Sequence, residues 1–324
     1  MTKKKGRVEM RRSPPATFAA GRKPPPLLHA MRRNWDLYLL IAPVIVYVLV
    51  FEYYPMYGLQ IAFKNFTAAN GIWGSPWIGF DHFQRFFNSY YFDRLIRNTL
   101  EISLYSLLVG FPAPLLLALM IHEMRRSWFR RTVQTITYAP HFLSTVVVVG
   151  IVIMMLSTQK GIVNHVIEWA GGKPIGFMTD PSWFKTIYVL SGVWQSAGWG
   201  SIIYLAALAG VDPQLHEAAI MDGASRFQRI CRINLPAIAP TIIVLLILNA
   251  GQIMSIGFEK IYLMQNDLNI ESSDVIPTYV YRSGILGAQM SFSVAVGLFN
   301  SVINCMLLVI VNYAARKMNE TSLW

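Results

Sequence analysis

Glu217-Ala218-Ala219-Ile220-Met221-Asp222-Gly223, then Ile233-Asn234-Leu235-Pro236 after a gap of nine residues, is the segment of this 324-residue chain best suited to act on another molecule. The chemistry it offers is electrostatic and mechanical, not covalent. One carboxylate, Glu217, stands on a short polar stretch between two long apolar ones. Ala218 and Ala219 keep that face thin, which permits close approach to a groove wall. Leu215 and Met221 add apolar contact. Asp212 can cap a helix and Pro213 fits its first turn, where a missing N–H costs nothing. Gly223 can take the left-handed conformation that ends it. The segment therefore predicts a helix, a glycine break, a second short helix and a proline opening the next apolar run. Such a knuckle fits the groove of a partner protein. The plainer reading of Glu217 is a solvated helix charge.

Other chemistries are missing from the sequence. No G-x-x-x-x-G-K-[ST] phosphate loop exists, since Gly172-Lys173 is followed by Pro174. No H-E-x-x-H, cysteine–histidine cluster or G-x-S-x-G elbow is present. Cys231 lies in the polar knuckle and Cys305 in an apolar run, which implies two free thiols and no disulfide framework. The expectation is a non-catalytic chain that binds no metal, cofactor or nucleotide of its own.

The elements around the knuckle are membrane elements. Hydrophobic residues make up 54% of the chain and charged ones 14%, against about 25% in a soluble domain. Six apolar runs fall at about 37–60, 98–121, 133–156, 186–209, 237–257 and 292–314, each near the ~20 residues that cross a bilayer. The fold class expected is all-α, an integral membrane protein with six transmembrane helices. Residues 1–35 form a basic, proline-rich tail, 36–315 the membrane domain with the knuckle loop at 212–236, and 316–324 a short end. The first run begins near Leu37 and is too long for a signal h-region, so it should remain as an uncleaved anchor.

Charge sets the orientation. Of 28 Lys and Arg residues, 19 lie in the tail, the 122–132 loop, the knuckle loop and the C-terminal end. The alternate loops hold 9. This bias places both termini and the Glu217 loop in the cytoplasm. The net charge of +11 then reflects orientation and anionic lipid, not nucleic acid. The three outer loops are aromatic or rich in turn signals, and together could form a docking face for an extracytoplasmic partner. Glu52 and Glu101 fall toward the outer boundary, and the centres of all six runs lack charged residues. A proton- or sodium-coupled carrier would place carboxylates there. The driving energy should therefore come from a partner.

The pattern E-A-A-x3-G-x9-I-x-L-P, matched by Glu217, Ala218, Ala219, Gly223, Ile233, Leu235 and Pro236, resembles the EAA loop of permease subunits in binding-protein-dependent ABC importers. Leu205–Pro213 resembles the sugar-importer branch. Tyr54-Pro55-Met56-Tyr57-Gly58, Gly79-Phe80-Asp81-His82-Phe83, Pro140-His141-Phe142-Leu143-Ser144 and Tyr279-Val280-Tyr281-Arg282 are similar to permeases for complex carbohydrates, the LplB-type group. One member type, the larger membrane subunit of an alginate importer, is a candidate. The resemblance implies an inner-membrane, multi-pass permease paired with a second, related permease. It also implies two ATP-binding subunits, which hold ATP and Mg, and a periplasmic or lipidated solute-binding protein. Glu217 would then pair with a basic ATPase residue. Carbohydrate would be the substrate.

The same resemblance directs attention to the spans on either side of the loop. Trp194, Gln195 and Trp199 lie before it, and Asn249, Gln252 and Ser255 after it. Amides suit sugar hydroxyls because they donate and accept hydrogen bonds. Asn249 and Gln252, three apart, are expected to share one helix face. The competing reading of these groups is interhelical hydrogen bonding, worth about 0.6 kcal/mol per contact in membranes. A polyanionic substrate would need positive charge along the path. The span interiors have none, so it would come from partners or from loop-end residues such as Lys64, Arg97, Lys260 or Arg282. A permease for a non-sugar solute and a stand-alone channel or secondary carrier are the alternative functions.

Overall fold

The computed structural model describes residues 35–254 and 256–319. Residues 1–34 of the basic tail, Ser255 and the last five residues lie outside the described residues. The chain divides into two compact units, Met1–Tyr57 and Gly58–Trp324. In the first, α1 (Trp35–Val48) contains Pro43 and continues through a π-helical turn, Leu49–Tyr53.

The second unit is a succession of helices. Among them are α2 (Phe92–Tyr105), α3 (Pro112–His122), α4 (Ser127–Tyr138), α5 (Thr145–Leu156) and α6 (Pro181–Ala209). They are followed by α7 (Pro213–Met221), α8 (Arg226–Arg229), α9 (Leu235–Ala250), α10 (Phe258–Met264), α11 (Ile276–Tyr281) and α12 (Met290–Asn319). The described residues are thus helical or loop, apart from one isolated antiparallel bridge between Lys64 and Trp77.

Proline shapes the long runs in a repeated way. π-helical turns at Leu49–Tyr53, Ser106–Gly110 and Ile230–Asn234 each end two residues before a proline: Pro55, Pro112 and Pro236. A proline cannot donate to the carbonyl four residues back and its ring crowds that carbonyl. Widening the preceding turn relieves both problems without ending the helix. The knuckle's second short helix, expected to stand apart from the next span, therefore runs into it through the turn at 230–234. One long apolar helical segment, Arg226–Ala250, results.

By length and composition four helical runs are able to cross a membrane: Trp35–Phe63, Phe92–His122, Arg226–Ala250 and Met290–Ala314. The third expected run, 133–156, is not one straight helix. Ser127–Phe142 and Thr145–Leu156 meet at 104°. The cause is local. Leu143 and Ser144 are extended, and the Ser144 hydroxyl accepts from the Val147 N–H at 3.4 Å, starting a new helix. The fourth expected run is α6, 29 residues long but less apolar than the others. The fifth stops at Ala250, and Gly251 and Gln252 lie in the turn beyond it.

Three buried clusters hold the second unit together. Ala118 and Leu119 of α3, Tyr204 and Leu208 of α6, and Ile238 of α9 form one of them. Ile102, Val149, Phe184, Ile187, Ile261 and Met264 form a second, and Phe86, Leu95, Met254, Ile276, Phe292 and Val296 a third. α6 and α4 approach closely at Gly198, where any Cβ would overlap the Thr137 carbonyl.

Candidate functional site

The knuckle is built from its ends. The Asp212 carboxylate accepts from the Gln214 N–H at 2.9 Å, and Pro213 occupies the first turn of α7. Gly223, at φ +76°, turns the chain away after α7. Ser225 and Gln228 then close a capping box on α8. No residue of α7 is buried. Glu217 and Ala218 are exposed, Ala219 is partly covered, and Leu215, Ile220 and Met221 stand in the open, Met221 at 86%. The Glu217 carboxylate makes no ion pair or hydrogen bond with any other described residue. Exposed apolar side chains around an unpaired carboxylate make a surface suited to a partner.

The other face of the knuckle is tied down. His216 lies against His122, with ring centroids 6.2 Å apart. Arg229 reaches Glu123 at 3.5 Å, and both side chains are more than four-fifths buried. His122 and Glu123 end α3, and α3 packs on α6 and α9 through the Leu119–Tyr204–Ile238 cluster. A push on the knuckle therefore reaches α3, α6 and α9 through the His216–His122 contact of α7, the Arg229–Glu123 bridge of α8 and one packed cluster.

The second feature is a polar cavity of about 390 Å³ between α2, α6, α9 and α10. That volume falls in the range of small-molecule sites, about 300–1,000 Å³. Gln195, Asn249 and Gln252 all line it, together with Ser103, Tyr188 and Lys260. Asn249 and Gln252 do so from a helix and the turn after it. The Asn249 amide donates to the Leu245 carbonyl at 2.8 Å, which leaves its oxygen as an acceptor. Gln195 donates to the Leu143 carbonyl at 3.2 Å, so the break between α4 and α5 anchors one of its N–H groups.

The two tryptophans take different places. Neither Trp194 nor Trp199 borders the cavity. Trp199 stacks on His141, with centroids 4.6 Å apart and planes 3° from parallel, and Phe142 meets its edge. Tyr188, Gly192, Gln195 and Trp199 follow i, i+4, i+7, i+11 and so share one stripe of α6. The cavity and the aromatic stack are thus parts of one helix face, about 16 Å from end to end. Trp194 lies off that stripe, half exposed.

The loop-end cations separate clearly. Arg97 pairs with Glu101 at 2.7 Å. Arg282 pairs with the fully buried Asp274 at 2.6 Å, and Arg94 holds the same carboxylate at 2.9 Å. Lys64 is buried, donates to the Ile72 carbonyl at 2.7 Å and lies over Trp77. Lys260 alone of the four lines the cavity. Its ammonium donates to the Tyr188 carbonyl at 3.0 Å and sits 5.0 Å from the Tyr188 ring centre. Burial holds it well below the usual lysine range. The sequence carried a signal for this. The i±3 and i±4 neighbours of Lys260 are Ile256, Gly257, Leu263 and Met264, so no carboxylate shares its face of the helix; Glu259, next to it in the chain, points elsewhere around the helix. Tyr188 and Ser103 had no such signal, since only the packing of α2 and α6 brings them to the cavity.

An exposed capped knuckle on a bundle of long apolar helices, with a polar cavity between them, is the arrangement of a membrane transport protein. Residues 110–320 match the model of the binding-protein-dependent transport system inner membrane component, and the chain belongs to that family. It is 46% identical to Protein LplB of Bacillus subtilis over 91% of this chain and 93% of that one. It is 43% identical to the polygalacturonan/rhamnogalacturonan transport system permease protein YteP of the same organism, over 89% and 90%. Its backbone matches a chain in the crystal structure of a bacterial alginate ABC transporter in complex with an alginate pentasaccharide-bound periplasmic protein. The TM-score is 0.85 at 44% identity, covering 92% of this chain and 99% of the other. The chain is a multi-pass membrane permease.

Proposed function

We propose that this chain is one of two permease halves of an ATP-driven importer that carries oligosaccharides or polysaccharide fragments across the bacterial inner membrane. The observation that carries the reading is α7. Its outer face is uncovered, its His216 lies against His122 of α3, and α8, which follows it, is bolted to the end of α3 through Arg229–Glu123. In this reading α7 is the coupling helix, lying in the cytoplasm with both chain termini. Six spans cross the bilayer, with α4 and α5 together forming the third and α6 the fourth. Glu217 pairs with a basic residue of an ATPase subunit, and Leu215 and Met221 fill apolar ground beside it. Two such subunits hold ATP and Mg. Their closure pulls the knuckle, and the α3–α6–α9 cluster passes the movement to the spans.

The cavity is then the substrate path on this subunit. Gln195, Asn249 and Gln252 meet sugar hydroxyls, and the Trp199–His141 stack gives a flat apolar surface for a ring. A solute-binding protein docks on the outer loops, and a second, related permease closes the path from the other side. The carbohydrate class is supported by the likeness to the polygalacturonan/rhamnogalacturonan permease YteP and to the alginate transporter. The test is uptake of labelled oligosaccharide by proteoliposomes holding the full importer. ATP-dependent accumulation supports the reading. Uptake restricted to amino acids or peptides would overturn it.

A further inference from the structure

We propose that Lys260 is the carboxylate-recognising group of the cavity, so that this site receives one acidic sugar unit of the passing chain at a time. The proposal rests on reading the cavity as the substrate path.

Lys260 is the only charged side chain among the described residues lining the cavity. Every group facing it from the neighbouring helices is neutral: Ser103 and Ser106 on the α2 side, Tyr188 and Gly192 on α6, and Asn249 and Gln252 at the end of α9. No carboxylate among the described residues lies within ion-pair distance of its ammonium. Arg94, Arg97, Lys185 and Arg282 each have a carboxylate partner in the chain. Lys64 is buried without one, held by the Ile72 carbonyl and Trp77, but it does not line this cavity, whereas the Lys260 ammonium borders open space that a ligand can enter. A charge taken out of water without a counter-ion is costly and is kept where function needs it. The missing counter-charge here is supplied by the occupant of the cavity.

The geometry leaves room for that occupant. An ammonium has three donors. One goes to the Tyr188 carbonyl, which fixes the head of the side chain against α6. Gly192 keeps the adjoining surface low, since a Cβ there would already lie 3.4 Å from Nζ. Two donors remain for a carboxylate. A uronic acid unit carries one carboxylate and several hydroxyls. The cavity carries one ammonium with amides and hydroxyls around it. A single cation also suits transport. Conduction needs binding firm enough to admit the substrate and weak enough to release it. A row of cations would hold a polyanion in place.

The experiment uses the complete importer, with its second permease, ATPase subunits and binding protein, in proteoliposomes. The probes are labelled oligogalacturonate and oligomannuronate trimers and their carboxyl-reduced counterparts. Lys260→Gln is expected to lower uptake of the acidic trimers about tenfold or more. Lys260→Arg is expected to restore most of it. ATPase stimulation by the loaded binding protein should stay intact in both variants. Undiminished uptake of acidic trimers by Lys260→Gln overturns the proposal. So does parallel loss of stimulated ATPase in both variants, which would make Lys260 structural. Wild-type uptake of only the reduced trimers overturns it as well. A wild-type importer that moves no saccharide at all instead sinks the functional reading on which the proposal rests.

Discussion

The loop around Asp274 and the knuckle around Glu217 each centre on one carboxylate, and the chain treats them in opposite ways. Asp274 is fully buried and accepts from Arg94, Arg282 and Thr278. Around it, Asn98 donates to the Asp274 and Glu271 carbonyls, Gln265 receives a second Arg282 N–H, and Asn269 ties the loop to the Met178 carbonyl. Each of these side chains has a partner from the same chain, and only the Nε of Arg94 is left without one. Glu217 has none, and the helix that carries it buries nothing. The first region is finished by its own sequence. The second leaves its carboxylate unpaired and its outer face uncovered, and only its inner face is anchored.

Five perturbations separate the two kinds of region. The largest effect on transport is expected from Glu217→Lys. Reversing a charge that pairs across an interface costs at least about 2 kcal/mol, so coupled uptake should fall about 30-fold or more. The melting temperature of the isolated chain should not move, because surface changes stay within about 0.5 kcal/mol. Transport at the wild-type rate by this variant would remove Glu217 from the coupling contact. Asp274→Asn should do the reverse. It leaves two guanidinium groups facing an uncharged amide, and losing one partner of a buried pair costs about 3–5 kcal/mol. Thermal unfolding in detergent should show the loss, with transport per folded molecule retained.

Smaller effects follow inside the bundle. Gly198→Ala pushes α6 off the Thr137 carbonyl and should destabilise by about 1–3 kcal/mol, read by the same melt. Glu123→Gln removes the bridge to Arg229 and should cost about 1–3 kcal/mol, because it leaves a mostly buried guanidinium without its counter-charge. Its sharper readout is the ratio of sugar moved to ATP hydrolysed, which should fall while Glu217-dependent docking persists. An unchanged ratio would show that the bridge does not transmit force.

The smallest effect is a pH profile. Burial lowers the proton affinity of Lys260, and the groups facing it are Tyr188 and neutral side chains, with Glu259 beside it on α10. Its charge is present below its folded-state value and is lost as pH rises through that value, earlier than for an exposed lysine. Uptake of acidic oligosaccharides should therefore decline on the alkaline side before ordinary lysines titrate. Stability runs the other way across that window, since the unfolded chain binds this proton more readily. A profile identical in Lys260→Gln would assign the decline to another group.

Where the determinants are local, the sequence was enough to read them. Asp212, Pro213 and Gly223 act within one turn of themselves, and the knuckle forms where their spacing puts it. The break in the third run was hidden because, over the length of a span, the apolar residues of 133–156 outweigh the scattered polar ones such as Gln134, His141 and Ser144. Pro140 was visible, but the extended Leu143 and the Ser144 cap follow from backbone choices that hydropathy does not register. α6 carries the polar stripe from Tyr188 to Trp199, which is the reason its hydropathy falls below that of the other long helices. Gln195, Asn249 and Gln252 could be named from their residue types. Their convergence with Lys260 depends on how four helices pack. The Asp274 network was least legible of all. Ser272-Ser273-Asp274 reads locally as a turn, and Arg94 and Asn98 lie about 180 residues away in the chain.

The central claim is that this permease is moved by an engine it does not contain. The direct measurement is sugar accumulation in proteoliposomes holding this chain and its companion permease, with and without the ATPase subunits, at fixed binding protein and ATP. The account predicts accumulation only when the ATPase subunits are present and ATP is hydrolysed. Accumulation by the permease pair alone would contradict it.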